Sequence, residues 1–336
     1  FHPGTWLYLL LPEPWATNVQ MLATLAVAGL ATYAYCRAIA CTRFAALLGG
    51  LTFAGGGFLI AHLGHVVVVQ AAVCLPLLMW SLERLRQRPA LRWVGLGAVA
   101  IALAVFAGHP QMPVMLLAAG AAYAGYHALA APGPAGWRRW LAAAGLTLAA
   151  GVLLAAAQLV PMPELAAQSP RARLSFAEFT SLALPWRQLP TLLLPFLFGG
   201  APGDPYRGAW NFFEVCGYAG LAAPMLALAA LPWAARDAQA RFWVLLGGVS
   251  LLLMLGAQTP LARLAYQVPV WNLFRGAARN ALYLNLALAV LAAWSATRVL
   301  PRHPRAVVVG AGAAAAAVAL AAWLAAHGGA DGPPLH

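Results

Sequence analysis

Long apolar stretches alternate with short polar connections along almost the whole chain. Each stretch approaches the roughly 20 residues that a helix needs to cross a bilayer. Many contain alanine and glycine in place of leucine, which favours close helix packing in lipid. The pattern predicts an all-α fold, a polytopic transmembrane helical bundle forming a single integral membrane domain over 1–336. The ten predicted spans lie near 16–36, 44–60, 66–82, 91–107, 113–130, 140–160, 213–233, 242–257, 281–297 and 306–326.

One connection, 161–212, is much longer than the others. It gathers acids, arginines and aromatic residues, and Pro185, Pro190 and Pro195 interrupt its apolar part. Proline removes a backbone donor and breaks a helix. We therefore expect short interfacial helices in this loop and no further span.

Composition and charge indicate the class of protein and its orientation in the membrane. The chain is 63% hydrophobic and 8% charged, with a mean hydropathy of +0.77, as expected of an integral membrane protein. Thirteen arginines and two acids occupy every second connection, whereas the remaining connections and ends hold seven arginines and six acids. The positive-inside rule places the Arg-rich side in the cytoplasm and the long loop outside. We predict a multi-pass protein of the bacterial cytoplasmic (inner) membrane, whose charge of +12 requires no nucleic-acid partner.

The motifs that are missing narrow the function. The four cysteines have no metal-binding spacing, and the chain carries no Walker, GxSxG, HExxH or dinucleotide motif. We predict no cofactor and no metal site, since nothing supports a divalent metal. The chain starts at Phe1 without a signal or a preceding span. We therefore expect an N-terminal truncation, with a span and much of an outer loop upstream.

The first short outer connection carries His62 and His65. Two histidines three residues apart at a helix end would share a face and could bind a metal or a phosphate. Interfacial capping and hydrogen bonding is the competing interpretation.

The second short outer connection contains Gly108 and Pro110, which predict a tight turn. Within it, His109 and Gln111 could point into a cavity and hold a substrate hydroxyl. The alternative is a plain turn between two helices.

In the long loop, Arg171 and Arg173 follow a span end. A guanidinium group binds phosphate through two parallel hydrogen bonds, so both are candidate ligands for a lipid phosphate. Headgroup binding without catalysis is the alternative. Glu164, just before them, is a candidate general base or the partner of an arginine in a structural ion pair.

Asp204 and Tyr206 are candidate sugar ligands, because acids bind sugar hydroxyls and aromatic faces stack on sugar rings. Neighbouring aromatic residues are also typical of an interfacial belt. In the last outer loop, Arg275 and Arg279 are four residues apart. On one helical face they could clamp a phosphate, whereas arginines that only snorkel to the interface are the alternative.

These outer motifs, in this order, resemble the YfhO-like family of bacterial membrane proteins, within the GT-C class of polytopic glycosyltransferases. The resemblance covers most of the chain and rests on 12–18, 33–37, 45–57, 108–111, 158–173 and 269–279. It implies a helical bundle whose outer face binds a polyprenyl-phosphate-linked sugar and passes the sugar to a cell-envelope acceptor. It also implies a catalytic acid in the first outer loop, of which 1–18 is the tail. Glu164 is then a weaker substitute for that acid.

Two other functions remain open. A lipid-linked substrate transporter or flippase would also use outer arginines and broken helices, although transporters place polar groups at mid-membrane. The predicted spans hold few such groups, chiefly Gln70 and Asn285. A non-catalytic protein of envelope assembly, in contact with membrane lipids, is the second alternative.

Overall fold

The computed structural model describes residues 2–168 and 174–327. Every regular element in these two ranges is helical, and no strand occurs in them. The predicted all-α class is therefore confirmed for the described part of the chain.

The helices divide by length into candidate spans and shorter elements. Five are long and apolar enough to cross a membrane: Glu13–Ala38, Arg43–Ala61, Val66–Gln87, Gln111–Ala130 and Ala277–Arg298. A sixth arises if Trp137–Leu154 and Ala156–Leu165, which meet at a bend of 62°, count as one span. The shorter apolar helices are Leu91–Phe106, Ala222–Ala234, Ala238–Met254 and Pro304–Leu320. The structure thus supports several spans, and the ten-span prediction is not confirmed.

The span predicted at 213–233 is shorter than expected for a local reason. Its first residues form a separate short helix, Phe212–Val215. Gly220 then adopts φ +76°, a left-handed conformation that stops a helix from continuing. The apolar helix starts only at Ala222.

The chain divides into two compact units. Unit 1 comprises Phe1–Gly50 and His62–Ala172, and unit 2 comprises Leu51–Ala61 and Arg173–His336. The single membrane domain over 1–336 stays a prediction.

Small residues bring helices of unit 1 close together, as their frequency in the sequence indicated. A Cβ atom built on Gly151 would lie 2.6 Å from the Cβ of Ile101 on a neighbouring helix. A Cβ on Gly50 would lie 2.6 Å from the carbonyl oxygen of Gly29. Larger side chains at either glycine would force the helices apart.

Three Arg-rich connections of unit 1 lie at one end of the unit. Gln87 Nε2 donates to the carbonyl of Ala38 at 2.7 Å, and an Arg86 guanidinium nitrogen donates to the carbonyl of Ala131 at 2.7 Å. These bonds join the ends of three helices. The Arg-rich connections that alternate along the chain therefore lie together in this unit. The side of the membrane on which they lie stays a prediction.

In unit 2, Asn285 links separate segments to the central helix Ala281–Arg298. Its Oδ1 accepts from the backbone N–H of Phe58 at 3.1 Å, and its Nδ2 donates to the carbonyl of Gly217 at 2.7 Å. Both bonds satisfy a buried amide. This polar residue of a predicted span thus serves the packing of the unit.

Candidate functional site

The loop of residues 275–279 in unit 2 is organised by a buried ion pair. Arg279 donates from Nε to Glu214 Oε2 at 2.9 Å and from a terminal nitrogen to Oε1 at 2.6 Å. Their side chains are 17% and 6% exposed. This two-point pairing fixes the orientation of both groups, so the fork of Arg279 is engaged by Glu214.

Arg275 and Arg279 do not share a helical face, so that prediction was wrong. Gly276 adopts φ +97° between them, and only a short 3₁₀ turn, Ala277–Asn280, follows. Glycine tolerates this left-handed conformation because it has no Cβ. No helix therefore runs from Arg275 to Arg279, and Arg275 is exposed.

Arg275 has no carboxylate within 4.0 Å in residues 2–168 and 174–327. It nevertheless acts on Glu178. Hydrogen bonds from the Ser175 side chain and backbone lower the pKa of Glu178, and the positive charge of Arg275 lowers that pKa further. The guanidinium of Arg275 thus lies within electrostatic range of the Glu178 carboxylate without forming an ion pair with it.

Glu178 is held by a capping box at the start of helix Phe176–Phe179. Its Oε2 accepts from the backbone N–H of Ser175 at 2.8 Å, and Ser175 Oγ accepts from the Glu178 N–H at 3.3 Å. The motif satisfies two backbone donors that the helix start leaves open. The sequence Ser175-Phe176-Ala177-Glu178 carries this signal, which was not among the sequence-based predictions.

Aromatic contacts attach this helix to a second short helix, Leu261–Tyr266. The ring of Tyr266 lies 5.6 Å from that of Phe176 and 5.4 Å from that of Phe179. The Tyr266 hydroxyl donates to the carbonyl of Leu174 at 2.7 Å. These contacts hold the segment that carries Glu178 against helix Leu261–Tyr266.

Asp204 and Tyr206 have local partners. Asp204 pairs with Arg207 at 2.6 Å on an exposed surface. The Tyr206 hydroxyl donates to the carbonyl of Ala209 at 3.1 Å and accepts from Gln188 Nε2 at 3.4 Å. Burial raises the pKa of Tyr206, so this phenol is neutral near pH 7.

The backbone of the same region holds strained conformations. Leu182, Trp210 and Val270 have φ values of 55°, 60° and 70°, which side-chain-bearing residues rarely adopt. Leu182 accepts a backbone hydrogen bond from Ala278 at 3.1 Å, next to the Arg279 pair. Strain of this kind concentrates at functional sites.

In unit 1, His62 and His65 lie in a turn after Ala61 and not on one helix face, so that expectation was wrong. His62 is 1% exposed whereas His65 is exposed, with 5.8 Å between the ring centres. No group of three metal-ligating side chains occurs in the part of the chain that the structure describes.

His109 and Gln111 lie at the predicted turn, where Gly108 adopts φ +92°. His109 is half-buried and Gln111 is buried at the start of helix Gln111–Ala130. Gln158 donates to the carbonyl of Val105 at 2.9 Å, so the bent span of unit 1 is attached beside this turn. Gln111 has 8% of its surface exposed.

Glu164 is exposed on the short helix Met162–Ala167. Arg171 and Arg173 lie outside the described residues. The structure therefore places one of these three candidates, on the surface of unit 1.

Sequence reasoning named Gln70 but missed Gln20, and both lie beside Gly4 near the start of unit 1. A Cβ built on Gly4 would lie 2.6 Å from Gln20 Nε2 and 2.8 Å from Gln70 Nε2. Gln20 Oε1 and Gln70 Nε2 are buried and have no hydrogen-bond partner among the described residues. Polar residues within apolar helices were the available signal.

Glu83 lies within a helix, although the predicted span 66–82 assigns it to the Arg-rich connection that follows. It is 1% exposed within helix Cys74–Gln87. Its carboxylate accepts hydrogen bonds from Arg86 at 2.8 and 2.9 Å, from Gln87 at 2.7 Å and from Tyr123 at 2.6 Å. This buried network of hydrogen bonds therefore has a structural role.

Comparisons with protein-family models, curated proteins and solved structures found no match. The resemblance to the YfhO-like family therefore stays a prediction.

Proposed function

We propose that this protein is a membrane glycosyltransferase that uses a polyprenyl-phosphate-linked sugar, with Arg275 contacting the phosphate. The observation that carries the proposal is the contrast between two arginines of one loop. Glu214 engages the fork of Arg279, whereas Arg275 is exposed and has no carboxylate within 4.0 Å in the described ranges. A fixed loop thus presents one guanidinium for an anion.

The reaction requires a positive charge beside the leaving phosphate. In a direct displacement, an acceptor hydroxyl oxygen forms a bond to the anomeric carbon while the bond from that carbon to the phosphate oxygen breaks. The acceptor proton passes to a carboxylate base, and the lipid phosphate leaves with its negative charge. A guanidinium beside that phosphate lowers the barrier, because it stabilises charge that develops in the transition state.

In this proposal, the general base is a carboxylate of an outer loop. The family resemblance implies an acid in the outer loop upstream of 1–18. Glu164 is exposed on unit 1 and has no ion pair within 4.0 Å among the described residues, and its role as a substitute base stays a prediction. Glu178 is a poorer base, since Ser175 already holds its carboxylate.

Aromatic surfaces near Tyr206 supply the sugar contact in this proposal. Trp186 and Trp210 are 55% and 49% exposed. The Trp210 indole donates to the carbonyl of Ala183 at 3.0 Å, which fixes its ring. A ring held in place can stack on a sugar at small entropic cost.

The acceptor is a cell-envelope molecule in this proposal, and its identity follows from the transfer assay. Membranes containing the full-length protein receive a radiolabelled polyprenyl-phosphate sugar, and label is followed into envelope polymer, lipid and protein. Transfer above membranes that lack the protein supports the proposal. No transfer from any such donor, with the folded protein present, would refute it.

A transporter of lipid-linked substrates is the second candidate, and the buried amides of Gln20 and Gln70 favour it. Both are at most 4% exposed and hold polar atoms without partners in the described part. Transporters place such groups inside the bundle at substrate sites. Movement of a fluorescent polyprenyl phosphate across proteoliposomes, without sugar transfer, would identify this function.

A further inference from the structure

Unit 2 contains a cleft at its Arg-rich end that the proposed function does not use. The cleft is open to its surroundings and has a volume of about 200 Å³ beside the ends of helices Ala222–Ala234 and Ala281–Arg298. We call it the arginine cleft. It is lined by Trp233, Arg236, Asp237, Trp294, Arg298, Val299, Arg302 and His303.

The charge of the arginine cleft is positive. Arg236, Arg298 and Arg302 line it together with one acid, Asp237. That carboxylate accepts from the backbone N–H of Ala240 at 3.0 Å and caps helix Ala238–Met254. The acid thus serves the helix start, and three arginines against one acid give the lining of the cleft a net positive charge.

Trp294 provides a donor that the protein does not satisfy. The residue is 3% exposed, and its Nε1 is buried without a hydrogen-bond partner among the residues that the structure describes. Buried donors almost always have partners, because an unpaired one is costly. Trp294 lines the cleft, so a ligand oxygen bound there is the candidate acceptor for this donor.

The walls of the cleft are prearranged. The Arg298 guanidinium lies over the Trp294 ring at 5.4 Å. The His303 ring stacks on Trp233, with 4.9 Å between centres and 25° between planes. The first contact positions a cation and the second positions an imidazole ring, both in the lining of a mostly apolar cleft. Such a site suits a charged headgroup attached to an apolar lipid chain.

We propose that the arginine cleft binds a phosphate-bearing anion, which is either the headgroup of an anionic phospholipid or a soluble phosphate. Arginine forks and an indole N–H are donors that match phosphate oxygens. Basic pockets between helices on the cytoplasmic side are typical binding places for anionic headgroups. The arginines of the cleft belong to the Arg-rich connections, whereas Arg275 belongs to the other set of connections. Binding at the cleft does not depend on glycosyl transfer.

The test uses the full-length protein in detergent and three variants. Trp294→Phe keeps the ring and removes the donor, and Arg302→Gln removes one cation. Arg305→Gln is the matched control, because Arg305 is exposed at the same end but does not line the cleft. Circular dichroism and size-exclusion chromatography confirm that each variant is folded.

Two probes separate the sources of phosphate. Native mass spectrometry measures phosphatidylglycerol retained against a phosphatidylcholine reference, and equilibrium dialysis measures binding of radiolabelled inorganic phosphate. We expect Trp294→Phe and Arg302→Gln each to weaken binding about tenfold or more, as loss of one charge-assisted hydrogen bond would, with Arg305→Gln unchanged. Selective loss of phosphatidylglycerol identifies a lipid site, and selective loss of inorganic phosphate identifies a soluble ligand.

Two results would overturn the proposal. One is the absence of specific binding by the parent protein with either probe. The other is equal binding by the parent, Trp294→Phe and Arg302→Gln proteins, or equal weakening in all three variants, which would show general attraction to a basic surface.

Discussion

Arg279 donates two hydrogen bonds to Glu214, which precedes it by 65 residues, and this pair orients the loop that carries Arg275. The pair is largely buried, with 17% and 6% of the side chains exposed. Four residues earlier in the chain, Arg275 is exposed. One loop therefore combines a structural arginine with an arginine available to a ligand.

The structural role of the pair predicts a large loss of stability when one partner changes. Glu214→Gln leaves a buried guanidinium without its counter-charge, and we expect a cost of about 3–5 kcal/mol. Equilibrium unfolding in detergent micelles measures it. Asp204→Asn, in the exposed pair with Arg207, is the control and should cost less than about 1 kcal/mol. Similar losses in the two variants would contradict a special role for Glu214.

The ligand role of Arg275 predicts that charge alone does not suffice. Arg275→Lys keeps the charge but loses the planar fork that meets two phosphate oxygens. We expect sugar transfer to fall by roughly 10- to 150-fold, the effect of about 1.5–3 kcal/mol. Arg263→Lys, at an exposed arginine of the neighbouring helix Leu261–Tyr266, should leave transfer unchanged. Equal activity of Arg275→Lys and the parent protein would remove Arg275 from the phosphate site.

Gly276 predicts a backbone effect, because it adopts φ +97°. A Cβ there would also lie 3.2 Å from Arg279 Cδ. We expect Gly276→Ala to cost about 1–2 kcal/mol. Gly248→Ala is the control, since Gly248 lies inside helix Ala238–Met254 and a Cβ would meet nothing within 4 Å. Thermal unfolding compares them, and an unchanged midpoint in Gly276→Ala would disprove the requirement for glycine.

The capping box predicts a pH dependence with a defined sign. The folded state lowers the pKa of Glu178, so its contribution to stability is present above the unfolded pKa and is lost as pH falls through the folded pKa. Ser175 is the largest cause and Arg275 a smaller one. We expect Ser175→Ala to raise this pKa more than Arg275→Gln does, as measured by NMR titration of labelled glutamate. The reverse order would contradict the geometry.

The orientation predicts different labelling of two exposed positions in unit 1, Gln168 and Pro89. Gln168→Cys and Pro89→Cys are introduced after replacement of the four native cysteines, all of which are buried. An impermeant thiol reagent should label the first and not the second in intact spheroplasts, because the Arg-rich connections are expected in the cytoplasm. Labelling of Pro89→Cys alone would reverse the topology.

The apolar pattern determined the helical class, since a stretch of hydrophobic residues in lipid must satisfy its backbone within itself. The charge pattern likewise anticipated that Arg-rich connections meet at one end of unit 1, where Gln87 reaches Ala38. Both predictions use properties of single segments, namely the hydropathy of each apolar stretch and the charge of each connection. The number of spans was less accessible, because bends such as that after Leu154 depend on packing.

Only the tertiary structure decided which polar groups are engaged. Arg275 and Arg279 look equivalent in the sequence, yet the partner of Arg279 lies on a distant segment, and Gly276 adopts a left-handed conformation between them. Glu83 looks like a connection residue, yet Tyr123 and Arg86 enclose it. Hydropathy is a local property, whereas the pairing of charges depends on contacts between segments that the sequence does not place side by side.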